Sequence, residues 1–322
     1  MSLETEAALD RRRLKRATSF WRGGAILAVA LAVGAFAFSG DSKLGLTDTH
    51  QIARVTIEGM ITEDRAQLRM LKRLAEAKHV EGVILVVNSP GGTTTGGEAL
   101  FEALRKISAA KPIVSQFGTV AASAAYIAGL GTDYIVARGN SITGSVGVIM
   151  QWPEVTELLA KIGVKMNEIK SGPLKATPSP FQPLDEPTRA LTQQMILEGQ
   201  QWFLGLVTSR RGVKTAVIPG LEQGRVFSGR EALQHKLVDE IGGEAEAVRW
   251  LEDKRKVKKG LKIVDWKARQ DLDWSLTGAL SGAIGGGLSA ALREAVSGAL
   301  RDTGLAAIQL DGFVSVWHPA KN

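Results

Sequence analysis

The stretch VILVVNSPGG, residues 83–92, decides the fold of this chain. Its first five residues are apolar, as expected of a strand that is buried on both faces of a parallel sheet. The pair Gly91 and Gly92 follows, and glycines after a strand let backbone N–H groups turn toward a ligand. Such groups hold a phosphate or the oxyanion of an acyl-transfer reaction, although a plain Pro-Gly turn also explains the pattern. No Gly-Lys-Ser/Thr follows, which excludes a P-loop.

This strand lies in a chain that alternates β-branched segments with helical patterns. Helices are predicted at 64–78, 98–108 and 121–130, and each of them follows a predicted strand. The predicted strands are 52–57, 83–87, 113–117, 133–137, 145–150 and 164–170. Such alternation predicts parallel βαβ units with right-handed crossovers, and therefore an α/β domain.

The composition removes several classes of chemistry. The chain has 322 residues, no Cys and four His, which excludes disulfides, thiolate metal sites and a Cys nucleophile. Its net charge is +7, but six basic residues lie in 1–22 and nine in 249–270, so the rest of the chain is nearly neutral. A nucleic-acid-binding surface would spread its charge along the fold, and we therefore expect no nucleic-acid partner.

An uncharged apolar segment follows the basic N-terminus. Residues 23–40 carry no charge, and eighteen helical residues span about 27 Å, close to the thickness of a hydrocarbon core. The basic residues before this segment predict a single-pass anchor with residues 1–22 in the cytoplasm and the body outside it. A cleaved signal peptide, with Ala35-Phe36-Ala37 as a small-residue site, is one alternative, and a buried core helix is another.

Ser123 is the first candidate for a nucleophile. It lies in AASAA, residues 121–125, where a predicted helix begins after a strand and where only methyl groups flank the hydroxyl. Close packing of small residues explains the same pattern. A nucleophilic Ser needs a base, and none of the four His is well placed for that role. Lys175 stands alone in the loop 171–187, which holds five Pro, and burial there would disfavour its charged form.

The order of five motifs resembles the signal peptide peptidase family SppA. The motifs are NSPGG, AASAA, GSVGVI, KSGPLK and GRVFSGREALQHKLVDEIGG, and they cover residues 50–256. Members of that family are Ser-Lys peptidases with a ClpP/crotonase-like fold, a repeated ββα/βαβ spiral with a parallel sheet. The resemblance implies Ser123 as nucleophile, Lys175 as general base, the amides of Gly91 and Ala124 as the oxyanion hole, and Ser145 as the group that orients the lysine.

The resemblance also implies a setting for the reaction. It predicts a homo-oligomer in which neighbouring subunits share the dyad, peptide substrates such as remnant signal peptides, and no metal or cofactor. The catalytic domain, 50–256, would lie on the periplasmic side of a bacterial inner membrane, in contact with lipid, followed by a tail at 257–322. Ala125 and Ala176 depart from the family pattern, which commonly has Gly and an acidic residue there. An inactive membrane scaffold of this fold and a crotonase-type acyl-CoA enzyme are the alternatives.

Overall fold

The computed structural model describes residues 49–268 and 314–316, together with Trp21, Gly23 and Gly24. The chain divides into two compact units, residues 1–49 and residues 50–322. The predicted membrane span at 23–40 lies outside the described residues, apart from its two glycines. Within the described part of the chain, no helix is both long and apolar enough to cross a membrane.

One mostly parallel sheet forms the centre of the second unit. Its strands, as far as the structure describes them, are β1 (Gln51–Ile61), β2 (Val80–Thr93), β3 (Ile113–Ala122), β4 (Tyr134–Ala137), β5 (Ile142–Gly144), β6 (Val226–Ser228), β7 (Glu240–Ile241), β8 (Lys262–Trp266) and β9 (Val314–Val316). The main order is β6-β5-β3-β2-β1-β8, with β4 beside β3, β7 beside β4 and β9 beside β2. The pairs β5–β6 and β2–β9 are antiparallel, whereas the other pairs are parallel.

Helices cover both faces of this sheet. The described ones are α1 (Arg65–Glu76), α2 (Thr94–Ala110), α3 (Ala124–Leu130), α4 (Thr156–Lys161), α5 (Glu186–Arg211), α6 (Gly229–Gln234) and α7 (Glu244–Arg255). Asp64 caps α1, since its carboxylate accepts from the N–H of Ala66 at 2.7 Å. Thr93 caps α2 by accepting from the N–H of Gly96 at 3.1 Å, so this helix begins four residues before its predicted start.

The burial of β2 confirms the prediction made from its apolar run. Val83, Ile84 and Leu85 are each 0% exposed. Alternate residues of the strand pack into two separate core clusters, one of which includes Leu251 of α7. A strand with helices on both faces needs apolar side chains on both, which explains the unbroken run. The mixed α/β fold with a parallel sheet is therefore confirmed.

Two predicted strands are wrong. Residues 145–150 were predicted as a strand, but the strand in this region is β5, which comes earlier and ends at Gly144. It ends there because Gly144 and Ser145 turn the chain with φ of 83° and 52°. The segment 164–170 forms no strand, and its residues 164–169 are exposed. No described strand lies beside it, so its backbone groups join no ladder within the described residues, and β-branched residues alone do not make it extended. The predicted tail also contributes to the sheet, because β8 pairs with β1 from Gln51 to Val55.

Candidate active site

Ser123 occupies the turn that joins β3 to α3. Its backbone lies at φ 60° and ψ −124°, and such a conformation costs a non-glycine residue about 1–3 kcal/mol. The N–H of Ser123 donates to the carbonyl of Gly144 at 2.8 Å, and its own carbonyl accepts from the N–H of Ile127 at 3.0 Å. These bonds hold a sharp strand-to-helix turn, the kind of turn on which α/β-hydrolases carry their nucleophile.

The hydroxyl of Ser123 is buried and makes no hydrogen bond to a described residue. Leaving a buried hydroxyl unpaired costs about 1–3 kcal/mol, and such groups are rare in folded proteins. The neighbouring Ala122 and Ala124 are buried as well and present only methyl groups. Ser123 therefore has the placement of a nucleophile, and its partner is missing from the described part of its own chain.

The glycine pair is not a Pro-Gly turn, because β2 continues through it to Thr93. Gly91 has a φ of 118°, which favours glycine, and the register of β1 against β2 shifts just before it. Gly92 is required for a different reason. A Cβ atom at Gly92 would lie 1.8 Å from the carbonyl oxygen of Ile61, so β1 passes too closely for any side chain.

Ser89 and Asn88 hold this part of β2 in place, and sequence analysis missed both. The N–H of Gly91 donates to Oγ of Ser89 at 3.1 Å, and that hydroxyl donates to the carbonyl of Gly59 at 2.6 Å. Oδ1 of Asn88 accepts from the N–H of Thr119 at 3.1 Å, which ties β2 to β3. An oxyanion bound at Gly91 would share its amide with Ser89. The only feature of the sequence that pointed to Asn88 and Ser89 was their position, as two polar residues between a buried strand and the glycine pair.

An extended segment of the chain lies beside the same glycines. In β9, Val316 pairs with Gly91, Ser315 with Gly92 and Val314 with Thr93. One edge of Gly91 and Gly92 already carries β1, so β9 lies along the other edge. β3 also pairs with this edge of β2, but the last pair is Ser89 with Ala121, just before the turn of Ser123. The edge of β2 next to Ser123 thus receives an antiparallel strand.

The turn at Ser145 lies directly beside the turn of Ser123, because Gly144 accepts the hydrogen bond from the N–H of Ser123. The N–H of Ser145 donates to the carbonyl of Arg225 at 2.9 Å. Its hydroxyl makes no hydrogen bond to another described residue and lines a cavity of about 380 Å³. The other lining residues are Gly147, Val148, Ile149, Gln200, Glu222, Gln223 and Gly224.

Lys175 is not joined to Ser123 in this chain. Its side chain is exposed and makes no hydrogen bond or ion pair with a described residue. It belongs to a segment, 155–184, that we call the arm. The arm exposes a set of large apolar side chains: Leu158, Ile162, Val164, Met166, Ile169 and Leu174. The structure therefore brings Ser123, Ala124, Ser145 and the glycines to one end of the sheet and leaves Lys175 apart.

Tyr126 anchors the helix that begins at Ser123. Its hydroxyl donates to the carbonyl of Leu237 at 2.8 Å, and its ring packs edge-on against Phe117. Burial raises the pKa of this phenol above its ordinary value, so Tyr126 stays a neutral hydrogen-bond donor. Ala124 is the first residue of α3, and its N–H therefore has no partner within the helix.

The described histidines have other contacts. His50 lies 2.8 Å from Glu81 at the amino end of the sheet, and His79 stacks on Trp266. His235 packs edge-on against Phe227. These three rings are held by structural neighbours, and His318 lies outside the described residues.

The fold and these residues place the protein in a known class. The family model for Clp protease matches residues 47–138, which contain β1 to β4 and Ser123. The model for peptidase family S49 matches residues 105–258, which contain Ser123, Ser145 and Lys175. The parallel sheet and the strand-to-helix turn thus belong to a ClpP-like α/β protein.

Three curated relatives define the family more narrowly. A candidate protease of Synechocystis sp. is 32% identical over 62% of this chain and 73% of that protein. Protease 4 of Haemophilus influenzae is 36% identical over 62% of this chain and 34% of its own length. A candidate signal peptide peptidase SppA of Enterococcus faecium is 34% identical over 59% of this chain and 56% of its own length. The chain belongs to peptidase family S49, and it spans between about a third and three quarters of these relatives.

Proposed function

We propose that this protein is a serine endopeptidase in which Ser123 is the nucleophile. The observation that carries the proposal is the buried hydroxyl of Ser123, unpaired on a strained turn at the end of a parallel sheet. A packing serine has no need of a strained backbone with positive φ, whereas the nucleophile of an α/β-hydrolase sits on such a strand-to-helix turn. Membership of a peptidase family supports the same reading.

Lys175 is the general base in this proposal. Its neutral amine takes the proton of Ser123 as the hydroxyl attacks the peptide carbonyl, and the amide nitrogen leaves with a proton returned by the lysine. The amides of Gly91 and Ala124 receive the negative charge that develops on the carbonyl oxygen. Water, activated by the same lysine, then hydrolyses the acyl-enzyme and frees Ser123. The residues present suffice for these steps, without a metal or cofactor.

The lysine comes from a neighbouring subunit. The exposed apolar side chains of the arm need cover, and a second copy of the chain provides it in a homo-oligomeric ring. The cavity that Ser145 lines, about 380 Å³ in volume, has room for an entering lysine side chain. There the hydroxyl of Ser145 accepts a hydrogen bond from the amine and orients it. Burial at that interface would also favour the neutral form that a base requires.

The substrate is an extended peptide that adds to the edge of β2. Main-chain hydrogen bonds to Gly91–Thr93 would hold it antiparallel, with its scissile carbonyl beside Ser123. The chain's own β9 pairs there in the same manner, which supports this mode of binding. The name of the Enterococcus faecium relative supports remnant signal peptides as the physiological class. An anchor at 23–40, with the catalytic domain on the periplasmic side of the inner membrane, would bring the enzyme to them.

A serine-directed phosphonylating probe tests the nucleophile. We expect the probe to label the intact protein at Ser123, because only an activated hydroxyl attacks phosphorus quickly. Mass spectrometry of the labelled peptide locates the adduct. Labelling that persists in Ser123→Ala would show that another residue is the nucleophile. Absence of any adduct would favour an inactive scaffold, and thioester hydrolysis by Ser123→Ala would favour an acyl-CoA enzyme.

Removal of β9 tests the binding edge. A chain that stops after residue 311 lacks β9, and a peptide substrate no longer competes with it for Gly91–Thr93. Two backbone hydrogen bonds at about 1 kcal/mol each correspond to a KM lower by roughly thirtyfold. KM for an unstructured peptide is the measurement. Ser315→Pro in the full chain removes one backbone donor and should act in the same direction. An unchanged KM in both would show that substrate binds away from this edge.

A further inference from the structure

A basic cleft lies at the end of the sheet opposite Ser123. The parallel strands β1, β2, β3 and β8 all begin at this end, and helices α1, α2 and α7 end there. Their ends enclose a cleft of about 430 Å³. Its charged lining consists of Lys78, Lys111, Arg255 and Lys256, with Glu76 and Glu81 as the acidic members.

Some of the cations at this end serve the fold. Nζ of Lys111 donates to the carbonyls of Leu74 and Ala77 and so caps the end of α1. Arg255 lies 3.7 Å from the carboxylate of Asp133 and over the ring of Trp250. Basic residues are common at helix C-termini because they interact favourably with the unpaired carbonyl groups there, so Lys111 and Arg255 need no other explanation.

Five other lysines have no such role. They are exposed and make no ion pair with a described residue, and we call them the basic face: Lys78, Lys254, Lys256, Lys258 and Lys262. The acidic residues nearby are mostly engaged by the main chain or by other side chains. Glu81 pairs with His50 and accepts from the N–H of Lys258, while Glu252 accepts from the N–H of Gly260. Hydrogen bonds leave the charge of these carboxylates in place. The five lysines still outnumber Glu76, Glu81 and Glu252, and Asp253 pairs with Lys259, so the basic face has a surplus of positive charge.

The chain enters the domain at this same end. Gln51, the first residue of β1, pairs with Val80 and Lys262, the first residues of β2 and β8. Nine residues, 41–49, separate it and His50 from the predicted span at 23–40. Nine extended residues reach at most about 30 Å, so in an anchored chain Gln51 lies within about that distance of the end of the span. This step rests on the anchor of the proposed function.

We propose that the basic face binds the phosphate groups of anionic phospholipids, so that the amino end of the sheet rests on the bilayer. Clusters of lysine next to an anchor are attracted to anionic headgroups within a Debye length of about 8 Å. The cleft between the three helix ends offers a recess for a headgroup. Charge, position and tether length all point to a lipid surface as the partner.

Contact between the amino end of the sheet and the bilayer has a consequence for the substrate. Ser123 follows the last residue of β3, a strand of ten residues, which at about 3.3 Å per residue is roughly 30 Å long. The catalytic end of the sheet is therefore held away from the bilayer. A peptide must leave the hydrocarbon core before it reaches Ser123, which selects released fragments over segments that still span the membrane.

The native absence of Cys makes a direct test possible. A single cysteine is introduced by Ala109→Cys, at the exposed end of α2, or by Thr119→Cys in the carboxyl half of β3, and carries a fluorophore. The full chain is reconstituted into vesicles of phosphatidylcholine with or without phosphatidylglycerol, and energy transfer to a headgroup acceptor is measured. We expect phosphatidylglycerol to increase transfer from position 109 and not from position 119, and added salt to reverse the increase.

Charge-neutralised variants identify the surface. Lys254→Gln with Lys258→Gln and Lys262→Gln removes three of the five lysines and should lose most of the phosphatidylglycerol-dependent increase. The matched control neutralises Lys214, Lys236 and Lys267, which are exposed elsewhere, and should keep it. Equal transfer in both lipids, or an equal loss in both variants, would overturn the proposal.

Two readouts separate this inference from the proposed function. Extraction of the vesicles at alkaline pH reports whether the chain is anchored, independently of lipid charge. Peptide hydrolysis in detergent reports the active site, and the triple variant of the basic face should retain it. A protein that shows the lipid-dependent transfer without hydrolysis would refute only the peptidase proposal.

Discussion

Replacing Ser123 with Ala is expected to abolish peptide hydrolysis. Ala removes only the hydroxyl, and the bonds that hold the turn come from the backbone, so the fold should persist. In a serine peptidase, loss of the nucleophile lowers kcat by about 10⁶. The measurement is kcat with a quenched fluorescent peptide, together with a thermal unfolding curve to show that the variant is folded.

Ser115→Ala is the matched control for this variant. Ser115 is also buried in β3, but it pairs with Ile135 of β4, and its hydroxyl accepts from that of Thr132, two residues before β4, at 3.1 Å. Its loss should leave kcat essentially unchanged. Hydrolysis by Ser123→Ala at the wild-type rate would contradict the assignment of the nucleophile.

Lys175→Ala is expected to inactivate the protein almost as completely, and mixing it with Ser123→Ala should restore activity. If neighbouring subunits share the dyad, a site works when one subunit supplies Ser123 and the next supplies Lys175. Random assembly of equal amounts makes about a quarter of the sites competent in a closed ring. The measurement is the hydrolysis rate after the two variants are dissociated together and reassembled.

Lys170→Ala serves as the control for the arm. Lys170 lies in the same segment and pairs with Glu168 at 2.7 Å. Its replacement removes one positive charge from the arm but leaves Ser123 and Lys175 intact. We expect it to remain active. Recovery should be absent when either inactive variant is reassembled alone. If mixing Ser123→Ala with Lys175→Ala restores nothing, each subunit must complete its own site.

The sequence pattern correctly predicted those elements whose residue types and periodicity match their burial in the folded protein. The apolar run 83–87 was predicted as a strand buried on both faces, and the structure confirms it. Helices α1 and α2 lie where their periodicity indicated. Ser123 was predicted at a strand-to-helix junction and lies there. Such signals are readable because burial and helix periodicity act through neighbouring residues.

Pairing between distant segments was not readable in the same way. The segment 164–170 has the residues of a strand but no described strand beside it, whereas β8 joins β1 from a stretch predicted as tail. Ser89 gained its place only because Gly59, thirty residues earlier, presents a carbonyl to it. A strand forms where another strand offers hydrogen bonds, and the sequence of one segment does not contain that partner.

The sequence by itself determined the chemistry available to this protein: no thiol, few imidazoles, a serine among alanines and a lone lysine in a loop. The tertiary structure decided where those groups stand. It gave Ser123 a positive φ in a sharp turn and ran β2 through the glycines to make an edge for an extended chain. It left Lys175 without a hydrogen bond to Ser123 in its own chain. Residue types set which bonds a chain can make, and packing between distant segments selects the bonds that it does make.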